Sequence, residues 1–122
     1  MAKILIVDDS PTETHAFSNM LQKHGHSVLS AENGADGVAV ARQELPDIVL
    51  MDVVMPGLNG FQATRQLTKG SETAHIPVLI VTTKDQETDR VWGRRQGASG
   101  YLVKPVAEAA LLKAIEEALS GR

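Results

Sequence analysis

Four continuous apolar runs frame this chain: Ile4-Leu5-Ile6-Val7, Ile48-Val49-Leu50-Met51, Val78-Leu79-Ile80-Val81 and Tyr101-Leu102-Val103. Short runs without polar alternation read as strands buried on both faces, as in a parallel sheet. A weaker segment, 28–31, has Ser27 and Ser30 near its ends, and its polarity suits a sheet edge. Between the runs the apolar residues recur at helical spacing. Ser10 reads as an N-cap, with Pro11 at the first helical position and Glu13 completing a capping box. Phe17, Met20, Leu21 and His24 follow on one face, and Gly25 is a suitable stop.

The second helix starts at Asn33-Gly34, carries Val38, Ala41 and Leu45 at helical spacing, and closes at Pro46. Asn59 caps a third helix with Phe61, Thr64 and Leu67 inward, and residues 69–77 form a polar loop. The fourth helix, 85–96, is nearly all polar, with only Val91 and Trp92 strongly apolar. Gly93 inside it costs about 1 kcal/mol relative to Ala, so this helix is expected to be the least firmly held. The fifth helix carries a clean stripe of Leu111, Ile115, Ala118 and Leu119. Five alternating strands and helices predict a doubly wound α/β fold: a five-stranded parallel sheet, five helices on its two faces and right-handed crossovers.

Length and composition narrow the functional classes. The 122 residues suit a single domain spanning 1–122, and no repeat or linker interrupts them. A net charge of −3 argues against bulk-charge binding to nucleic acid. Cysteine is absent, so there is neither a disulfide framework nor a thiolate metal site. No signal peptide is visible and the apolar runs are too short to cross a bilayer, so a cytoplasmic protein without membrane insertion is expected. The histidines His15, His24, His26 and His75 lack ligand spacing, and no phosphate-binding glycine loop followed by lysine is present.

The chemistry lies where the strands stop. The runs end on Asp8-Asp9, Asp52, Thr82 and Lys104-Pro105. In open α/β sheets ligands bind at the carboxyl edge of the strands. Three carboxylates, a hydroxyl and an ammonium are therefore expected in one small volume. Any one of them alone reads as a turn or cap residue. Their joint placement at successive strand ends points to a site. Clustered carboxylates repel, and Lys104 offsets only part of the charge. A hard divalent ion with oxygen ligands would offset the rest, and Mg²⁺ fits a few carboxylates plus a substrate phosphate. A carboxylate beside Mg²⁺ and a lysine is also a plausible phosphoryl acceptor.

These motifs resemble the receiver domain of two-component response regulators of the chemotaxis-regulator type. The resemblance runs over residues 3–119 and rests on Asp8-Asp9, on Asp52 followed by Met55-Pro56-Gly57 and Gly60, on Thr82, and on Lys104-Pro105. It implies strand order 2-1-3-4-5 and Asp52 as phosphoacceptor from a histidine kinase. It also implies Mg²⁺ held by Asp9 directly, Asp8 largely through water, Asp52 and the backbone carbonyl of Val54. Lys104 would pair with the phosphate, through a cis bond to Pro105, and Thr82 and Tyr101 would form a switch pair. Segments 55–69 and 81–93 resemble the branch of single-domain regulators of type IV pilus twitching motility. Val54 and Thr83 depart from the chemotaxis pattern on either side of the phosphoryl position and bear on its lifetime.

In this family the fourth helix, fifth strand and fifth helix form the usual contact face for a downstream protein. Here that face carries Arg90, Trp92, Arg94, Arg95 and Tyr101. Arginine with aromatic residues is a hot-spot composition. The alternative is a solvated arginine-rich helix with Trp92 half buried against the sheet. Two other functions use the same acceptor. One is a phosphate sink for a shared kinase with no downstream target. The other is a small aspartyl-phosphate phosphatase, whose acid two residues past the nucleophile would here be Val54.

Overall fold

The computed structural model describes residues 1–121. Strands and helices alternate: β1 (Lys3–Val7), α1 (Pro11–Lys23), β2 (Ser27–Ala31), α2 (Gly34–Glu44), β3 (Ile48–Met51), α3 (Gly60–Lys69), β4 (Val78–Thr82), α4 (Glu87–Arg95), β5 (Gly100–Val103) and α5 (Glu108–Ser120). The sheet is five-stranded and parallel throughout, in the order β2-β1-β3-β4-β5. The polar strand β2 lies at an edge, as its serines predict.

Alternation along each central strand divides the core. Leu5, Val7, Val49, Met51 and Val78 meet Val38 and Ala41 of α2 and Ala63 and Leu67 of α3. Ile4, Ile6, Ile48, Leu50, Leu79 and Val81 meet Phe17 and Leu21 of α1 and Leu111 and Ile115 of α5. A small third cluster joins Val53, Phe61 and Ile80, with Ala98 and Tyr101 packed against it. Both faces of β1, β3 and β4 are thus covered, which is why their sequences are continuously apolar.

Three sequence expectations change in detail. Leu45 is not a core residue. It ends α2 in the left-handed region at φ 47° and is 48% exposed, because the chain must reverse before Pro46. The Ser10 capping box is half made: the Ser10 hydroxyl accepts from the Glu13 N–H at 3.3 Å, but the Glu13 carboxylate turns to Lys104. α4 is shorter than expected, and its interior glycine has a reason. A Cβ at Gly93 would lie 3.0 Å from Ile80 Cδ1 and 3.2 Å from Tyr101 Cδ2, so a side chain there would press on both neighbours, and glycine allows the helix its close approach to the sheet.

Replacing Leu111 by Ala should cost about 2–5 kcal/mol, since it empties a fully buried site between α5 and the sheet. Replacing Leu45 by Gly should instead raise stability by about 0.5–1 kcal/mol, by removing the left-handed strain of a side-chain-bearing residue. Urea unfolding of the two variants beside the parent checks both signs.

Candidate functional site

The hydrogen-bond ladder overruns the strands and fixes the residues that follow them. The Asp8 N–H donates to Ala31 O at 3.1 Å, the Asp52 N–H to Val7 O at 2.9 Å, and the Lys104 N–H to Thr82 O at 2.8 Å. Asp8, Asp52 and Lys104, each one residue past a strand, are therefore held by the sheet's own bonding. Asp8, Asp9 and Asp52 offer ligand oxygens that all lie within 4.8 Å of one another. Asp8 and Asp52 are buried, and Asp9 is exposed at the mouth. Thr82 is fully buried below them, and the Lys104–Pro105 bond is cis.

The Lys104 side chain is only 6% exposed and bridges three carboxylates. Its ammonium donates to Asp8 Oδ2 at 2.8 Å and to Glu13 Oε2 at 2.9 Å, while Asp52 Oδ2 stands 3.7 Å away. Burial by itself would lower the Lys104 pKa. The hydrogen bonds to Asp8 and Glu13 and the charge of Asp52 outweigh burial and raise it. Asp52 is pushed above the usual carboxylate range, chiefly by burial and also by the neighbouring Asp8 charge. The Lys104 charge, the Val53 N–H and the Thr82 hydroxyl oppose that rise without cancelling it. One oxygen of Asp52, Oδ1, accepts the Val53 N–H at 2.8 Å, and the other faces the ammonium.

Three carboxylates thus face one ammonium, and a fourth, Asp9, stands beside Asp8 and Asp52. The uncompensated negative charge and the all-oxygen donor set suit a hard divalent cation at Asp8, Asp9 and Asp52.

The loop after Asp52 is anchored by backbone. Gly60 N–H donates to Val53 O at 3.0 Å, and a Cβ at Gly60 would lie 1.9 Å from the carbonyl oxygen of Asp52. The first turn of α3 can approach the Asp52 backbone only because residue 60 has no side chain. Val54 and Thr83 both expose their side chains at the rim.

On the expected partner face Trp92 is 49% exposed, which agrees with the half-buried reading and leaves both alternatives for this face open. Arg94 and Arg95 are exposed as well. The Arg90 guanidinium lies over the Tyr101 ring, 5.3 Å from its centroid. The Tyr101 hydroxyl donates to Lys84 O at 2.8 Å. Burial, helped by the Asp89 charge, pushes this phenol up to about 12. A groove of about 840 Å³ runs beside β5, lined in part by Ile76, Pro77, Leu102 and Ala118. None of the clustered carboxylates lines it, so this groove and the charged site are separate places.

Sequence reasoning missed Glu13, which it assigned to a cap. Its signal was positional. α1 begins at the carboxyl edge, so a carboxylate in its first turn reaches the strand-end lysine.

An α/β sheet of this order with carboxylates and a lysine at its carboxyl edge defines a class, and the chain belongs to the response regulator receiver domain family, whose model matches residues 4–116. It is similar to Protein PilH of Pseudomonas aeruginosa, with 73% identity over 121 residues, covering 99% of this chain and 100% of that protein. It also resembles the response regulator PleD of Caulobacter vibrioides, with 39% identity over 90% of this chain but only 24% of PleD. Among solved structures, the chemotaxis protein CheY4 of Vibrio cholerae superposes with a TM-score of 0.91 at 34% identity, covering 97% of this chain and 98% of that one.

The raised pKa of Asp52 sets a sign. The folded state holds this proton to higher pH than the unfolded chain, so stability falls as pH rises through the ionisation of Asp52. In metal-free buffer at neutral pH, Asp52→Asn should melt at a higher temperature than the parent. The gain should vanish below the ordinary carboxylate range, where both side chains are neutral. Gly60→Ala should weaken divalent-cation binding at least about tenfold, because a clash with backbone shifts the Asp52 segment away from Asp8 and Asp9. Calorimetric titration of both variants with Mg²⁺ measures this.

Proposed function

We propose that this receiver works as a phosphorylation-dependent switch, with Asp52 accepting a phosphoryl group from a histidine kinase. The observation that carries this reading is the joint placement of Asp8, Asp9, Asp52, Thr82 and Lys104 at one edge of one sheet. Asp52 Oδ2 is the attacking oxygen, since Oδ1 is already held by the Val53 N–H. As the new O–P bond forms, the P–N bond to the donor imidazole breaks. Its electron pair stays with the ring, which takes a proton from solvent.

Asp8, Asp9, Asp52 and the backbone carbonyl of Val54 are the proposed Mg²⁺ ligands. When bound, the ion neutralises charge on the transferring oxygens. Lys104 pairs with a phosphoryl oxygen. Thr82 turns its hydroxyl toward another, and Tyr101 gives up its bond to Lys84 and packs inward. Because Arg90 stacks on the Tyr101 ring, that movement reaches the α4 surface. Arg90, Trp92, Arg94, Arg95 and Tyr101 are the proposed contact surface for a downstream protein. No contact with nucleic acid or membrane is part of this reading.

The biological setting proposed is type IV pilus twitching motility. The resemblance of segments 55–69 and 81–93 to that branch supports it, as does the 73% identity to Protein PilH. A phosphate-sink role uses the same acceptor, but it loses the phosphoryl group quickly and has no downstream target.

Incubation with a small acyl phosphate and Mg²⁺ should add one phosphoryl mass to the parent and none to Asp52→Asn. No addition to the parent, or equal addition to the variant, removes Asp52 from the acceptor role. Phosphoryl half-life and pull-down with and without the donor then separate switch from sink. A short half-life with no phosphorylation-dependent partner favours the sink. Mg²⁺ affinity should fall as pH drops toward the raised Asp52 ionisation, because the proton and the ion compete for the same oxygens. A flat calorimetric affinity from neutral to mildly acidic pH argues against a site built on Asp52.

A further inference from the structure

Lys104 is held by a residue that the acceptor set does not include. We propose that Glu13 is a positioning residue: it holds the Lys104 ammonium away from Asp52 in the unphosphorylated protein and must release it when a phosphoryl group arrives. The proposal rests on Asp52 being the acceptor.

The argument begins with the ammonium's three donors. Two are used at full strength, toward Asp8 at 2.8 Å and Glu13 at 2.9 Å. Asp52 at 3.7 Å lies outside hydrogen-bonding range. A phosphoryl group on Asp52 brings further oxygens to compete for this ammonium, and moving toward them weakens at least one existing bond. Asp8 is poorly placed to yield. It is buried, its backbone N–H is tied to Ala31 O, and its Oδ1 accepts the Ser10 N–H at 2.9 Å.

Glu13 is better placed to yield. Its side chain is 42% exposed on the first turn of α1, where water can solvate the freed carboxylate. Lys104 Nζ is its only ion-pair partner among the described residues. Nor is Glu13 needed as a helix cap. Asp8 already takes the Ser10 N–H that a capping-box glutamate would accept. The carboxylate therefore spends its interaction on the lysine, and the phosphorylated state must overcome that pairing.

The test uses the full chain with saturating Mg²⁺ and beryllofluoride, a stable phosphoryl analogue, followed by fluorine NMR. Glu13→Gln keeps the size but removes the charge, and should bind the analogue about three- to tenfold more tightly than the parent. Glu13→Asp keeps the charge but sets it back by one methylene, and should also bind more tightly. In metal-free protein without the analogue, the Lys104 ammonium signal should shift in both variants. Unchanged or weaker binding by Glu13→Gln overturns the proposal and leaves Asp52 as acceptor untouched. Tighter binding by Glu13→Gln alone, with the Lys104 signal unmoved in both variants, assigns the effect to diffuse charge and also overturns it. A parent that neither binds the analogue nor takes a phosphoryl mass fails as an acceptor, and the Glu13 proposal falls with it.

Discussion

The rest of the structure depends on the hydrogen-bond ladder of a parallel sheet. Parallel strands all stop at the same edge, and here the ladder continues for one residue past the ends of β1, β3 and β5. That extra residue is Asp8, Asp52 or Lys104. Backbone bonds fix where each of these side chains originates, so their mutual distances do not depend on loop conformation. A site spread over segments far apart in sequence gains the rigidity of the sheet. The apolar layers on both faces hold the strands in register and so hold the site in register too.

Rigidity has an electrostatic consequence. Asp52 is buried, and Asp8 beside it cannot move away, so Asp52 holds its proton more tightly, first through burial and then through that repulsion. Lys104 is drawn among them and becomes a stronger base than burial alone would allow. The cluster remains short of positive charge, and that shortage suits a cation. Affinity for a cation and repulsion among the carboxylates have the same electrostatic origin.

The other side of the molecule is built differently. α4 contributes little apolar surface, and its only buried residue is Gly93. Close approach at this glycine, together with the Arg90–Tyr101 stack, keeps the helix against β4 and β5. An element held by few contacts has less to lose on moving. The proposed movement of Tyr101, whose ring carries the Arg90 guanidinium, would act on this weakly held helix.

Much of this was legible in the sequence. Continuous apolar runs reveal parallel strands because a strand covered on both faces has no polar side to display. Residues that stop those runs reveal the site, because parallel strands stop together. Local sequence could not decide the partners of long side chains. Glu13 sits where a capping box calls for it, yet it bonds to Lys104, 91 residues away. Leu45 continues the apolar stripe of α2, yet the chain reverses there and leaves it half exposed. Gly93 looks like a defect in a weak helix until Ile80 and Tyr101 are seen beneath it. Periodicity and strand-end chemistry are local and survive in one dimension. A choice between competing hydrogen-bond partners, and the closeness of a helix to a sheet, exist only once the chain has folded.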